Sequence, residues 1–316
     1  MKKEKEIKIF CSKDWSFDSA QNKTNYELLD TGKGEKLEKF GKYIFVRPYE
    51  DAVWPKTLSE KEWAKADGKF WSSKTGAKAG WTFFKNGSWG NSLNNRFLKW
   101  EMEYKDIKFL ASPTPFRHLG FFPEQASHWD FIEKQIKNSG RKIKFLNLFG
   151  YTGVASFFAL RAGAEVTHLD ASKQTLNWAK ENQKLNKFIQ GQSLRVIEDD
   201  VLKFLEREEK RGNKYDAVIM DPPKFGRGPK GEIWKLEIML PKLLLQVQKV
   251  LSDKPLFVIL TSYAVDSSSL SLGYALEDIM HNFKGNVESG ELCVLEKSNN
   301  RIIPLAHTAV WSIDMV

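Results

Sequence analysis

KIKFLNLFGYTGVASFFALRAGAEVTHLD, residues 142–170, reads as two apolar strands on either side of a short apolar helix. KIKFLNLF predicts a strand, VASFFALRAG a helix and EVTHLD a second strand, each too short and too apolar to lie on a surface. Between the first strand and the helix lies FGYTG (149–153). There Gly150 and Gly153 are expected to let the backbone pass close to a ligand at a helix amino terminus. Strand, helix, strand in this order builds a parallel pair with a crossover, the unit of a doubly wound sheet.

Downstream the same alternation continues. SKQTLNWAKENQKLN predicts an amphipathic helix with Ser172 as N-cap and Leu176, Ala179 and Leu185 on one side. SLRVIEDD, YDAVIMD and PLFVILTSY are further strands. VLKFLEREEKRG, LEIMLPKLLLQVQKVL and LGYALEDIMHNF are the helices between and after them. Two last strands, NVESGELCVLE and AHTAVWSI, are joined by a short connection and are expected to be antiparallel. The expected fold is α/β, a Rossmann-like sheet of seven strands, mostly parallel, over residues 142–316. Residues 116–141 form a connecting segment and helix. The first 115 residues differ: they hold seven of the eleven tryptophans and short alternating runs such as YIFVRPY and GWTFFK between turn-rich pieces such as KNGSWGN (85–91). They predict a small β-rich domain that binds substrate, its aromatics filling a core more often than stacking on bases.

Composition narrows the classes. With 41% hydrophobic and 28% charged residues the chain has the make-up of a globular protein. No apolar run approaches the ~18 residues of a membrane helix. MKKEKEIKIFCSKD has basic residues but no apolar segment behind them, so it is not read as a secretory signal. Two distant cysteines, Cys11 and Cys293, offer neither a disulfide framework nor metal spacing. A reducing cytoplasm is the expected setting, with no metal and no membrane. The net charge of +9 sits in residues 1–150, and a basic surplus in 201–250 is cancelled by acids in 251–316. A polyanion such as nucleic acid is the expected partner.

The strand ends carry the chemistry. Ligands of a doubly wound sheet bind at the carboxyl ends of its strands. After the second strand comes Asp170, twenty residues beyond Gly150, where an acid commonly grips ribose hydroxyls. Asp199 and Asp200 follow the third strand, and either can instead cap the next helix. Asp221 follows the fourth and opens DPPKFGRGPKGEIWK (221–235). Carboxylates at successive strand ends suit a cationic nucleoside better than a pyrophosphate.

FLNLFGYTGVAS, VTHLDAS, EDDV and DPPKF together resemble the motifs of class I S-adenosylmethionine-dependent methyltransferases. More narrowly they resemble the bacterial relatives of the large-subunit ribosomal RNA methyltransferases that make 5-methylcytosine or 7-methylguanine, in a branch with a DPPKFGRG signature. HLGFFPEQASHWDFI (118–132) resembles the segment leading into that catalytic domain. The resemblance implies that Phe149, Gly150, Thr152 and Gly153 wrap the methionine and ribose of the cofactor. It places Asp170 on the ribose, Ala171 and Ser172 beside the adenine, Asp200 on the adenine amino group and Val201 against the ring. Asp221, Pro222, Pro223 and Lys224 then border the methyl-transfer site, with Asp221 also against the cofactor. The two prolines lack an N–H, so their carbonyls are expected to accept from a substrate amine. In the basic loop, Phe225, Arg227 and Lys235 are expected to contact substrate, with Trp234 as a stacking surface and Tyr263 lining the pocket. Gly226, Gly228 and Gly231 are expected to give that loop unusual backbone angles, suited to phosphate or carboxylate recognition.

One departure restricts the reaction. Cytosine C5 methylation needs a thiolate that adds to the base, and neither DPPKFG nor LTSYAVDSS contains cysteine. The expectation is methyl transfer to RNA, ribosomal RNA first, at a nitrogen. The alternative is a small molecule or a protein side chain.

Overall fold

A computed structural model of the chain describes residues 5–13, 15, 25–72, 79–85, 88–90, 99–189, 191–263 and 268–313. In chain order the elements begin with β1 (Ile7–Cys11), β2 (Tyr26–Gly32), β3 (Glu35–Phe40), β4 (Tyr43–Pro48), α1 (Glu60–Trp63), β5 (Gly68–Trp71), β6 (Gly80–Lys85), β7 (Ser88–Gly90), β8 (Trp100–Tyr104) and β9 (Ile107–Ala111). Then follow α2 (Ala126–Asn138), β10 (Lys144–Leu148), α3 (Val154–Arg161), β11 (Glu165–Asp170), α4 (Lys173–Leu185), β12 (Leu194–Glu198), α5 (Val201–Lys210) and β13 (Ala217–Met220). The last are β14 (Phe225–Arg227), β15 (Ile233–Lys235), α6 (Leu236–Val250), β16 (Phe257–Ser262), α7 (Ser269–Met280), β17 (Asn286–Leu295) and β18 (Ile302–Ser312).

Two compact units result. One takes the chain up to Phe10, Ser127–Cys293 and Pro304–Val316; the other takes Cys11–Ala126 and Val294–Ile303. The first holds the large sheet, in the order β1-β17-β18-β16-β13-β10-β11-β12. β16, β13, β10, β11 and β12 run parallel, while β18 pairs antiparallel with β16. The sheet has eight strands where seven were expected, because β1 adds to the edge beside β17. Its exposed, lysine-bearing IKIFC carries no alternation that marks it as a sheet edge. Every residue of β13 and β16 is buried on both faces, as a parallel sheet covered by helices requires.

The other unit holds a six-stranded sheet, β2-β3-β4-β5-β6-β7, and the hairpin β8-β9. Trp15, Trp63, Trp81 and Trp100 are buried, so these rings fill the core. The Trp89 side chain and residues 86, 87 and 91 of the turn-rich piece 85–91 lie outside the described residues. Residues 294–303 join this unit: Thr31 donates to Glu296 at 2.6 Å and Ser298 to Asp30 at 2.8 Å. The buried Asp30 also accepts from Leu58 N at 2.8 Å and the Trp63 indole at 2.9 Å.

Beneath β12, the carboxylate of Glu208 is fully buried and accepts from Tyr215 (2.7 Å), Arg211 and Asn213 (2.9 Å each) and Arg195 (3.0 Å). Burial alone would raise its pKa, but the bonds from Arg195, Tyr215, Asn213 and Arg211 outweigh it and hold the group at about 2. A depressed carboxyl adds stability above its unfolded value of 4.5, lost as pH falls through about 2. Glu208→Ala is expected to cost about 2 kcal/mol at neutral pH by leaving the buried Tyr215 hydroxyl without its acceptor, while Arg195 and Arg211 reach solvent. That lowers the thermal midpoint by roughly 4–8 °C. The same variant should flatten the midpoint's fall between pH 4.5 and 2. An unchanged pH profile would remove Glu208 as the acid-sensitive group.

Candidate active site

The parallel strands bring four of the expected motifs to one edge. Leu148 pairs with both Leu169 and Met220, and Asp170 with Glu198, so the chain leaves β10, β11, β12 and β13 side by side. Backbone bonds stitch the exits together: Gly150 N to Leu169 O at 2.8 Å and Asp199 N to Asp170 O at 3.2 Å.

FGYTG is a strained loop. Phe149 and Tyr151 adopt φ of 58° and 53°, and Gly153, the N-cap of α3, adopts 91°. Left-handed angles on two aromatic residues cost about 1–3 kcal/mol each and persist where the surroundings enforce them. Gly150 also has a reason within the chain to be a glycine. A Cβ there would lie 2.3 Å from Cε1 of His168, whose ring fills the space under the turn. His168 is buried, with Nδ1 3.0 Å from Ser156 Oγ, which accepts from Asn147 at 3.0 Å. Burial pushes its pKa down, against the pull of Asp170, so the ring is neutral. Among the described residues its Nε2 has no hydrogen-bond partner.

Asp170 ties this loop to α4. Its Oδ2 accepts from Tyr151 N at 2.9 Å, and its Oδ1 from Ser172 N at 2.8 Å and Thr175 Oγ1 at 3.0 Å. Ser172 caps α4 through Thr175 N at 3.3 Å, with Ala171 half-buried before it. Thr152 is buried and its carbonyl accepts from Asn182 at 3.0 Å. At β12, Asp200 caps α5 through Lys203 N at 3.1 Å with one oxygen. Asp199 accepts from Asp200 N with one oxygen and pairs Arg207 with the other. Val201 is buried in the core at the start of α5.

After β13, Asp221 is half-buried, Pro222 buried, and Pro223 and Lys224 exposed. The segment beyond is a β-hairpin, β14-β15, closed by Leu236 N to Lys224 O at 3.0 Å. Two expectations are corrected. Trp234 offers no stacking surface, being 5% exposed and packed on Phe149 at 5.0 Å. Its indole donates to the Pro223 carbonyl at 2.6 Å, which takes one of that oxygen's two acceptor positions. The glycines serve the hairpin. Gly228 leaves room for Glu232, and of Gly226, Gly228 and Gly231 only the last has a left-handed φ, 87°. Glu232 pairs with Lys203 at 2.5 Å and accepts from Lys230 N at 2.9 Å.

Alternation sorts the hairpin's side chains. Phe225 faces Lys235 and Arg227 faces Ile233 across the ladder, while Gly226 faces Trp234. The first four therefore share the outer face, where Phe225 is 57% and Ile233 56% exposed. Tyr263 is half-buried at the end of β16, and residues 264–267 of the expected LTSYAVDSS segment lie outside the described residues. Sequence reading missed His168, Thr175, Ile233 and the inward role of Trp234. Thr175 alone carried a signal, as a hydroxyl in the first turn after the acid.

The site thus combines a doubly wound sheet with acids at the carboxyl ends of three parallel strands, β11, β12 and β13. The profile of the S-adenosylmethionine-dependent methyltransferases matches residues 99–252. A solved S-adenosylmethionine-dependent methyltransferase from Agrobacterium tumefaciens is 36% identical, covers 99% of this chain and 98% of its own, and superposes with a TM-score of 0.84. The chain belongs to the S-adenosylmethionine-dependent methyltransferase family and is an enzyme of that kind. It is also 32% identical over 125 residues, 39% of the chain and 30% of the relative, to the ribosomal RNA large subunit methyltransferase I of Aeromonas salmonicida. To the ribosomal RNA large subunit methyltransferase K of Neisseria meningitidis it is 30% identical over 177 residues, 54% of the chain and 48% of the relative. The matches thus span less than half the length of these curated relatives.

The residues present fit the cofactor. Three of the roughly four acceptor positions of the Asp170 carboxylate are taken within the chain, which leaves one for a ribose hydroxyl. Asp200 keeps its second oxygen outside the described bonds, and the strained FGYTG turn lies between these acids and Asp221.

Proposed function

We propose that this enzyme methylates RNA, ribosomal RNA in the first place, at a nitrogen. The observation that carries the reading is the outer face of the hairpin directly after Asp221, Pro222 and Pro223. Phe225 and Ile233 offer an apolar surface for a base, and Arg227 and Lys235 offer charge to phosphates on either side. The small β-rich domain expected over residues 1–115 is proposed to add to substrate binding. The relatives named as ribosomal RNA methyltransferases support the substrate class. A cytoplasmic location accords with it, and no described helix is long and apolar enough to cross a membrane.

In this reading Phe149, Gly150, Thr152, Gly153, Asp170, Ala171, Ser172, Asp200 and Val201 form the cofactor side. Bound S-adenosylmethionine supplies an electrophilic methyl group. The chain's work is alignment and exclusion of water. Asp221 and the carbonyls of Pro222 and Pro223 are the acceptors proposed for the substrate's amine, Trp234 taking one of the two positions on the Pro223 oxygen. Lys224 and Tyr263 border the same space. A nitrogen nucleophile accords with the thiols: Cys293 is buried in β17, and burial pushes the Cys11 thiol up, away from the reactive thiolate.

Ribosomal RNA from cells lacking the gene should accept labelled methyl from the purified enzyme, and RNA from wild-type cells should not. Digestion should place the label on a nitrogen. Label entering small molecules or proteins instead would overturn the RNA assignment. Arg227→Ala with Lys235→Ala should weaken RNA binding and reduce the salt slope by about 1.4, from ~0.7 per single-strand phosphate contact.

A further inference from the structure

The hairpin's outer face is exposed, and its inner face packs on the chain itself. On it, Trp234 makes two contacts at once. Its indole N–H reaches the Pro223 carbonyl at 2.6 Å, and its ring meets Phe149 edge to face at 5.0 Å and 64°. Phe149 is the first residue of the strained cofactor turn, and Pro223 belongs to the turn after Asp221. The opposed residue across the ladder is Gly226, where a Cβ would come within 3.3 Å of the Pro223 ring and 3.8 Å of the Trp234 Cβ. The absence of a side chain at Gly226 thus lets Trp234 close on Pro223. Near the far end of the hairpin Glu232 pairs with Lys203 at 2.5 Å, and at its base Leu236 N donates to Lys224 O at 3.0 Å.

We propose that Trp234 is a positioning residue that couples the cofactor turn to the substrate-facing hairpin, through Phe149 on one side and Pro223 on the other. This rests on the reading of the Asp221–Pro223 turn as the methyl-transfer site. Ordering of the Phe149 turn by the cofactor is passed by the indole to Pro223 and to β14, and so to Phe225 and Arg227 on the outer face. The indole N–H does this in a way an apolar ring alone does not, because the bond fixes the turn's carbonyl as well as its packing.

The test uses the full chain, S-adenosylhomocysteine as probe, and the variants Trp234→Phe and Phe225→Ala. In the wild type, saturating S-adenosylhomocysteine should slow amide hydrogen exchange in residues 225–235. Trp234→Phe keeps a ring against Phe149 and loses the bond. It should bind S-adenosylhomocysteine within about twofold of wild type, yet lose the protection of 225–235. With acceptor RNA its kcat should fall roughly tenfold, the loss of one hydrogen bond of about 1.4 kcal/mol, with KM little changed. Phe225→Ala should keep the protection and raise KM for RNA. A Trp234→Phe enzyme with a lowered thermal midpoint but intact protection and kcat would make the residue a core filler and overturn the proposal. If no RNA accepts a methyl group, the exchange measurement still decides on Trp234 alone.

Discussion

Gly150→Ala is expected to cut the affinity for S-adenosylmethionine roughly 100-fold while leaving the rest of the fold in place. The added Cβ would lie 2.3 Å and 2.4 Å from two atoms of the His168 imidazole, closer than real Cβ contacts come. The ring has nowhere to go: it is 1% exposed and bonded to Ser156, which holds Asn147 in turn. The turn must therefore lift, which strains Phe149 and Tyr151 further and draws Tyr151 N from Asp170. Overpacking of about 1–3 kcal/mol and one lost hydrogen bond of about 1 kcal/mol together reach two decades in affinity. Calorimetric titration checks this, and a second variant checks the cause. Gly150→Ala with His168→Ala should regain at least tenfold of the loss, because the obstacle is then gone. Wild-type affinity in Gly150→Ala, or no recovery in the double variant, would show that the turn does not rest on His168.

Asp221→Ala should reduce methyl transfer at least ~100-fold with cofactor affinity within a few fold of wild type, as loss of an aligning group at the reacting centre predicts. Asp170→Ala should do the reverse, weakening the cofactor at least tenfold with a smaller change in the rate at saturation. The structure enlarges the second expectation. Asp170 holds Tyr151 N, Ser172 N and Thr175 Oγ1 as well as facing the proposed ribose, so its removal loosens the whole turn. Asp170→Asn, which keeps one acceptor oxygen, should fall between wild type and alanine. Equal loss of cofactor affinity in Asp170→Ala and Asp221→Ala would refute the division of labour between the two acids.

Local pattern was sufficient for the catalytic sheet. EVTHLD coincides with β11, and Ser172 caps the helix it was expected to cap. Apolar strands buried on both faces and helices with caps are decided by neighbours in sequence, so they can be read there. The acids at the strand ends were legible for the same reason: parallel strands bring every carboxyl end to one edge. Asp200 shows the limit, since the observed cap and the proposed ligand contact use the same side chain and its sequence position suits both.

What the sequence by itself determined is the doubly wound sheet, the row of acids at Asp170, Asp200 and Asp221, and the absence of a cysteine near them. Contacts between distant segments decided the rest. β1 joins β17 across the length of the chain, and residues 294–303, the turn between β17 and β18 with the strand ends beside it, group with the β-rich unit. Gly150 is small because His168, eighteen positions on, occupies the space of its side chain. Trp234 lies in a basic, glycine-rich stretch that looks solvent-facing, and it turns inward because hairpin alternation and Gly226 open the way to Pro223 and Phe149. Strand periodicity is a property of the chain, but which face of a three-residue strand is covered depends on what packs there, and that only the tertiary structure settles.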